Sequence, residues 1–85
     1  MEYVVASFRS RAQTVKFYGI LKNAGVNCEV VNTPKEAGVG CGLSVKFKKE
    51  AFPFVKRAVI DVGFNSFAGF FLVKNAMGMR IVKSI

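Results

Sequence analysis

Hydrophobic and polar positions along the first third of the chain follow a strand pattern and then a helix pattern. Residues 3–8 are β-branched, aromatic and small residues without turn formers, which predicts a central strand covered on both faces. Ser10 followed by Gln13 has the form of a capping box, so we expect a helix to begin there. Apolar side chains then recur with helical spacing at Phe17, Ile20, Leu21 and Ala24. Gly25 can supply the left-handed cap that ends this helix.

The middle of the chain predicts two strands joined by a glycine-rich loop. Residues 26–31 form the second strand. Thr33-Pro34 ends it, because proline lacks an amide donor and restricts the residue before it. Residues 35–42 contain three glycines and predict a loop. Apolar and polar side chains alternate over residues 43–48, as expected of a half-exposed third strand.

The remaining pattern predicts a second helix and a fourth strand. The helical spacing recurs at Val55, Ala58, Val59 and Val62. We expect the helix over residues 50–62, with Pro53 in its first turn and Gly63 as its C-terminal cap. Residues 66–73 predict the fourth strand, in which Gly69 is a candidate β-bulge.

The resulting order, β-α-β-β-α-β, predicts the fold class α+β. Right-handed crossovers would place both helices on one face of an antiparallel four-stranded sheet, giving a ferredoxin-like sandwich. With 85 residues the chain has material for one core, so we expect residues 1–85 to form a single domain. Its core would span residues 3–73. The C-terminal tail, residues 74–85, could add a short strand or dock on the open face of the sheet.

The composition is more apolar than so small a core can hide. Apolar residues make up 52% of the chain, and nine residues are phenylalanine. An apolar excess of this kind favours a surface that faces a partner. We therefore expect a homodimer, in which the open sheet face with Phe67, Phe70 and Phe71 pairs with a second copy. A purely structural or regulatory dimer is one alternative function.

The positive net charge makes nucleic acid an alternative partner. Thirteen Lys and Arg against five Asp and Glu give a formal charge of +8, which attracts polyanions. The basic residues occur in runs no longer than two, which favours a diffuse solvated surface. A basic RNA-binding module would need stacking aromatics on its third strand. That strand lacks the aromatic pattern, and we expect Phe47 in the core.

The chain lacks the residues that several classes of chemistry require. It contains no histidine, and its five acidic residues are scattered without paired-carboxylate or metal-ligand spacing. We therefore predict no metal site and no cofactor, and a carrier or accessory protein fits better than an independent enzyme. Two cysteines are too few for a disulfide framework, which favours a reduced, cytoplasmic setting. We expect no signal peptide and no membrane contact, since the longest apolar run is far shorter than a bilayer span.

Glycines surround one of the two cysteines. Such glycines let backbone amides approach a thiol and form an anion-binding concavity. The predicted topology brings this loop to the end of the sheet where the first helix begins, and the helix N-terminus and nearby arginines would lower the thiol pKa. The candidate site therefore combines a thiol, loop glycines and arginines: Cys41, Gly38, Gly40, Gly42, Arg9 and Arg11.

A structural interpretation of the cysteines stands beside this one. The glycines would then only form a turn, and Cys41 would be a small buried hydrophobe, as free cysteines commonly are. Cys28 lies on the alternating second strand between Val26 and Val30, so we expect it to be a packing residue.

Four short segments resemble a known family. They are Tyr3-Val4-Val5, Gly25-Val26, Thr33-Pro34, and Cys41-Gly42-Leu43 leading into Val45-Lys46-Phe47. Together they look like the small bacterial proteins of the selenium/sulfur carrier protein-like family, over roughly residues 3–73. The resemblance implies that Cys41 is the carrier residue, accepting sulfur or selenium as a persulfide or perselenide, and that Gly42 belongs to its loop. A carrier of this kind would exchange its cargo with a protein donor or acceptor, which is the partner that we expect. The basic surface and the tail after Val73 depart from the family pattern.

Overall fold

A computed structural model of the chain describes residues 1–38 and 42–85. Within them it contains five strands and two α-helices. The elements are β1 (Glu2–Phe8), α1 (Arg11–Asn23), β2 (Cys28–Asn32), β3 (Leu43–Phe47), α2 (Phe52–Val62), β4 (Phe67–Ala76) and β5 (Met79–Ser84). Single 3₁₀ turns, Lys35–Ala37 and Lys49–Ala51, follow β2 and precede α2. The α+β class and the two predicted helices are confirmed.

The sheet has five strands, so the predicted number of four is wrong. The strand order is β2-β3-β1-β4-β5, and every neighbouring pair is antiparallel. The fifth strand comes from the tail. Met77 and Gly78 both have positive φ angles, of 53° and 74°, which is the geometry of a tight two-residue hairpin turn. This turn reverses the chain after Ala76, so β4 extends beyond its predicted end and pairs with β5.

Helix α1 begins and ends where the capping residues predict. Ser10 Oγ accepts a hydrogen bond from the Gln13 amide at 3.2 Å. Gly25 follows the helix with a φ of 83°, and the Val26 amide donates to the Leu21 carbonyl at 2.9 Å. The bond from Val26 to Leu21 belongs to a Schellman motif, which satisfies carbonyls at the helix end.

Only half of the predicted capping box forms at the start of α1. The Gln13 side chain does not return to Ser10 but crosses to the segment between α2 and β4. Its Nε2 donates to Asn65 Oδ1 at 2.8 Å, and its Oε1 accepts from the Ser66 amide at 3.2 Å. Gln13 therefore ties the first helix to the start of β4, a long-range contact that the local pattern could not reveal.

Both helices pack on the same face of the sheet. Alternate residues of β1, Val4, Ala6 and Phe8, bury their side chains there against both helices. The helix residues in this core are Phe17, Leu21, Val55 and Val59. Phe8 contacts three other aromatic rings at centroid distances of 5.2 to 5.4 Å. The surplus of phenylalanine thus fills the core on the helical side.

A β-bulge in β4 overturns the predicted aromatic face. Ser7 pairs with Gly69 while Phe8 pairs with Phe67, so the register skips one residue at the predicted bulge position. As a result Phe67 and Phe70 both pack in the core on the helical side. Phe71 alone of the three expected residues lies on the opposite face. The predicted face of three phenylalanines is therefore wrong.

The face opposite the helices holds a second, smaller apolar cluster. Val5, Phe71 and Val73 are buried there. Partly buried side chains pack against them: Tyr3, Val31, Ala37 and Val82. Ala37 belongs to the loop after β2, so part of that loop covers this face. Among the helices of the described residues, none has the length and apolarity to cross a membrane.

Candidate functional site

The glycine-rich loop connects β2 to β3 at one end of the sheet. The pairing of Asn32 with Leu43 is the last pair of the two strands, and the Thr33 amide donates to the Gly42 carbonyl at 2.8 Å beyond it. Cys41, the predicted carrier thiol, lies outside the described residues, as does Gly40. The structure therefore describes the loop on both sides of the thiol.

Two glycines of the predicted site adopt conformations that favour glycine. Gly38 has a φ of 65° and Gly42 a φ of 97°. A side chain at either position would be strained by the backbone angle, although open space surrounds both Cα atoms. These residues are the last and the first described residues on the two sides of Cys41 in the sequence. Their backbone requirement explains why the loop needs glycine there, independently of any chemistry.

A row of three hydroxyl groups lies under the base of this loop. Ser7 Oγ and Ser44 Oγ are 2.7 Å apart and buried, and Ser44 Oγ is also 2.7 Å from Thr33 Oγ1. The row crosses β1, β3 and the residue after β2. It fixes the first residue of the loop to the centre of the sheet by side-chain hydrogen bonds. The sequence analysis did not predict this row of hydroxyls. Two serines, Ser7 and Ser44, lie on strands whose side chains are expected to alternate between core and solvent, and this pattern is a signal for such a row.

The described part of the loop turns across the face opposite the helices. Pro34 is buried, and Ala37 packs against the small cluster around Val5 and Phe71. Beyond it, Glu36 forms a two-point ion pair with Arg80 of β5, with Nε–Oε2 and Nη2–Oε1 distances of 3.1 and 2.8 Å. We call residues 34–38 the strap. The strap reaches from β2, at one edge of the sheet, to β5 at the other edge.

The two predicted arginines lie at the expected end of the sheet, at the start of α1. Both are exposed, and the Arg9 backbone amide donates to the Ser66 carbonyl at 2.8 Å. Neither side chain forms an ion pair with another residue of 1–38 or 42–85. Helix α1 packs on one face of the sheet and the strap on the other. Arg11, the first residue of α1, thus lies on the helical side of the sheet, opposite the strap.

Cys28 is a packing residue, as predicted. Its side chain is 7% exposed and belongs to the core on the helical side. Its Sγ lies 4.0 Å from the Tyr18 carbonyl oxygen. Burial raises the pKa of the Cys28 thiol, and the positive charge of Lys22 offsets this only in part. A thiol that ionises with difficulty is a poor nucleophile, so Cys28 is unsuited to carrier chemistry.

Two observations on the described residues concern metal ligands and the stacking of Phe47. No group of three or more Cys, His, Asp or Glu side chains in residues 1–38 and 42–85 is arranged to hold a metal ion. Phe47 is 2% exposed in the core, so it cannot stack on a base. On the opposite face, Lys46 Nζ covers the Tyr3 ring at 4.4 Å from its centroid. A cleft of about 260 Å³ lies between the start of α1 and the end of α2, lined by residues such as Lys16 and Val62.

One comparison with known proteins identifies the family. The family model described as "Putative Se/S carrier protein-like" matches residues 3–65. This chain belongs to that family. The matched residues run from β1 to the end of α2 and include the whole β2–β3 loop, whereas β4 and β5 lie beyond them. Searches of curated proteins and of solved structures returned no match.

Proposed function

We propose that this member of the Se/S carrier protein-like family carries sulfur or selenium on Cys41. The observation that supports this proposal is the burial of Cys28, the other thiol of the chain. Cys28 is buried with a raised pKa, which leaves Cys41 as the thiol for carrier chemistry. Cys41 also lies within the residues that match the family. The family name supplies the cargo class.

The proposed transfer conserves atoms and electrons without a metal or a redox cofactor. A Cys41 thiolate attacks the outer sulfur of a persulfide held by a donor protein. A bond forms between Cys41 Sγ and that sulfur, and the S–S bond of the donor breaks. The donor's own sulfur leaves with the bonding electron pair as a thiolate. The outer sulfur keeps its proton, so Cys41 ends as a persulfide; a selenium atom in the outer position follows the same course.

The loop and its surroundings would favour the thiolate. We propose that backbone amides near Gly38, Gly40 and Gly42 face the sulfur, where N–H dipoles stabilise a negative charge. Arg9 and Arg11 would add positive charge from the same end of the sheet. Both arginines are exposed and without ion pairs in the described part of the chain, so their charge is available to an anion.

We further propose that the donor and acceptor are proteins. A carrier that has no enzyme machinery of its own must receive its cargo from one protein and pass it to another. Exposed apolar side chains at 51% to 99% exposure, Ile60, Met77, Met79 and Ile81, offer contact surface for such a partner or for a second copy of the chain in a homodimer. A reducing, cytoplasmic setting would keep Cys41 available as a thiol.

Intact-mass measurement tests the carrier function. The protein is incubated with a cysteine desulfurase and free cysteine, then weighed before and after treatment with a reductant. We expect wild type and Cys28→Ala to gain one sulfur mass that the reductant removes, and Cys41→Ala to gain none. Equal labelling of Cys41→Ala and wild type, or no labelling of wild type, would contradict the proposal. Titration of Cys41 alkylation by iodoacetamide against pH should give an apparent pKa below that of a free thiol.

A further inference from the structure

The C-terminal hairpin lies beyond the residues that match the family model. The match ends at residue 65, whereas the hairpin of β4 and β5 continues to Ser84. Strand β5 adds little to the main core, since Val82 is its only residue that is not exposed. Yet its residue Arg80 forms an ion pair with Glu36 of the strap. This contact indicates a role for β5 in the loop rather than in the core.

An ion pair and a shared apolar cluster link β5 to the strap. The Arg80 guanidinium meets the Glu36 carboxylate at two points, at 2.8 and 3.1 Å, which fixes the relative orientation of the two groups as well as their distance. Two residues further along β5, Val82 packs in the same small cluster as Ala37. The Arg80 hydrogen bond is also the main cause that lowers the pKa of Glu36. Glu36 thus contacts β5 directly, and the next residue, Ala37, shares an apolar cluster with it.

Hydrogen bonds within the strap give it little support. Its internal bonds are those of one 3₁₀ turn, in which the Ala37 amide donates to the Pro34 carbonyl at 3.0 Å and the Gly38 amide to the Lys35 carbonyl at 3.1 Å. A single 3₁₀ turn has poor hydrogen-bond geometry and little stability by itself. Its place on the sheet must therefore come from contacts with neighbouring elements, of which β5 provides the ion pair.

We propose that β5 anchors the strap, with Arg80 as a positioning residue that holds Glu36 and thereby the segment leading to Cys41; this inference rests on the proposed function of that thiol. Glu36 precedes Cys41 by five positions in the chain. The other end of the loop is held at Gly42 by the Thr33 amide. With both ends held, the residues between them have fewer conformations available, and the thiol is presented in a narrower range of positions.

Hydrogen exchange of the strap tests the anchor without using the carrier function. Exchange is followed by mass spectrometry in peptides that contain the Ala37 and Gly38 amides. Because the ion pair is exposed, we expect Arg80→Glu to speed exchange only about two- to fivefold. The matched control is Lys83→Glu, which makes the same charge change on the same strand. Lys83 follows Val82 and faces the other side of the sheet, so this variant should leave strap exchange unchanged.

A charge swap separates positioning from a general loss of stability. Glu36→Arg combined with Arg80→Glu should restore slow exchange, and Arg80→Lys should give an intermediate rate because lysine lacks the two-point geometry. Equal exchange in Arg80→Glu and Lys83→Glu, or no recovery in the swapped pair, would overturn the anchor.

The pH profile of Cys41 alkylation tests whether the anchor reaches the thiol. In a Cys28→Ala background, we expect Arg80→Glu to shift the midpoint of the profile toward that of a free thiol, and the charge swap to restore it. If Arg80→Glu gives the same pH profile of Cys41 alkylation as Lys83→Glu, the link between the strap and Cys41 is wrong. Failure of sulfur loading in wild type would contradict the carrier proposal alone, because exchange and alkylation are measured without any sulfur donor.

Discussion

Ser7 Oγ and Ser44 Oγ lie 2.7 Å apart across β1 and β3, and neither residue is exposed to solvent. The pair stands where two central strands reach the loop that bears Cys41. Because a buried hydroxyl needs a hydrogen-bond partner, this contact makes the base of the loop sensitive to small changes in the sheet. Residues far from the thiol in sequence therefore contribute to its support.

Replacement of Ser44 by alanine should destabilise the protein. Ser44 Oγ contacts both Ser7 Oγ and Thr33 Oγ1, and it is the partner that the described residues offer to the buried Ser7 hydroxyl. Leaving that hydroxyl unpaired costs about 1–3 kcal/mol. We expect the free energy of unfolding in urea to fall by this amount for Ser44→Ala. In Ser7→Ala/Ser44→Ala no buried hydroxyl is left unpaired, so the double variant should be less destabilised than the sum of the single variants. Strict additivity would show that the two hydroxyls do not interact.

The two cysteines should differ in reactivity in the native protein. Cys28 is buried and its thiol pKa is raised, so little thiolate is available to an alkylating reagent. We expect iodoacetamide at pH 8 to modify Cys28 about tenfold or more slowly in the folded protein than in urea, since local opening must come first. Peptide mapping by mass spectrometry gives the rate at each cysteine. Equal rates at Cys28 with and without urea would contradict its place in the core.

The sequence predicted most elements because their signals are local. Ser10 and Gly25 bound the first helix by capping, and the helical spacing of Val55 and Val59 placed the second on the core. Gly69, the candidate β-bulge, lies beside a register shift between β1 and β4. The consequence of that bulge, the placement of Phe67 beside Phe70, depends on strand pairing and could not be read from the pattern alone.

Contacts between distant segments explain what the sequence could not supply. The fifth strand depends on a hairpin whose first turn residue is Met77, a poor signal for positive φ. Glu36 and Arg80 are both ordinary surface charges in sequence, and their pairing requires the strap and β5 to meet across the sheet. For the candidate site, sequence reasoning named the thiol and its glycines but missed the hydroxyl row and the anchoring strand, because both arise from tertiary structure.

The hairpin turn between β4 and β5 should accept a stabilising substitution. Met77 has a φ of 53° and is 99% exposed, so its side chain makes no packing contribution while its backbone is strained. Asparagine tolerates this conformation, and Asn-Gly is the preferred sequence of such a turn. We expect Met77→Asn to raise the free energy of unfolding by about 0.5–1 kcal/mol. Met79→Asn removes the same apolar side chain two residues later, within β5, and should not stabilise. Equal effects of the two variants would contradict a turn-specific cause.

Stability should fall in acid, in part because of Glu2. The Glu2 carboxylate lies 2.7 Å from Lys49 Nζ and 3.2 Å from Lys74 Nζ. The hydrogen bond from Lys49, followed by that from Lys74, lowers the pKa of Glu2 below its ordinary value of 4.5. Between the folded pKa of Glu2 and pH 4.5, the unfolded chain binds more protons at Glu2 than the folded chain does. The stability that Glu2 contributes is therefore present above pH 4.5, and it is lost as the pH falls through the lower, folded pKa.

A substitution isolates the contribution of this carboxylate. Glu2→Gln cannot take up the proton, so its urea midpoint should decrease less than that of wild type between pH 6 and pH 3. Glu36, whose pKa is also lowered by its partner Arg80, retains part of the acid sensitivity in the variant. Glu50→Gln removes an exposed carboxylate that forms no ion pair within residues 1–38 and 42–85, and it serves as the charge-matched control. If Glu2→Gln and Glu50→Gln show the same pH dependence, the lysine pair around Glu2 does not stabilise the folded state.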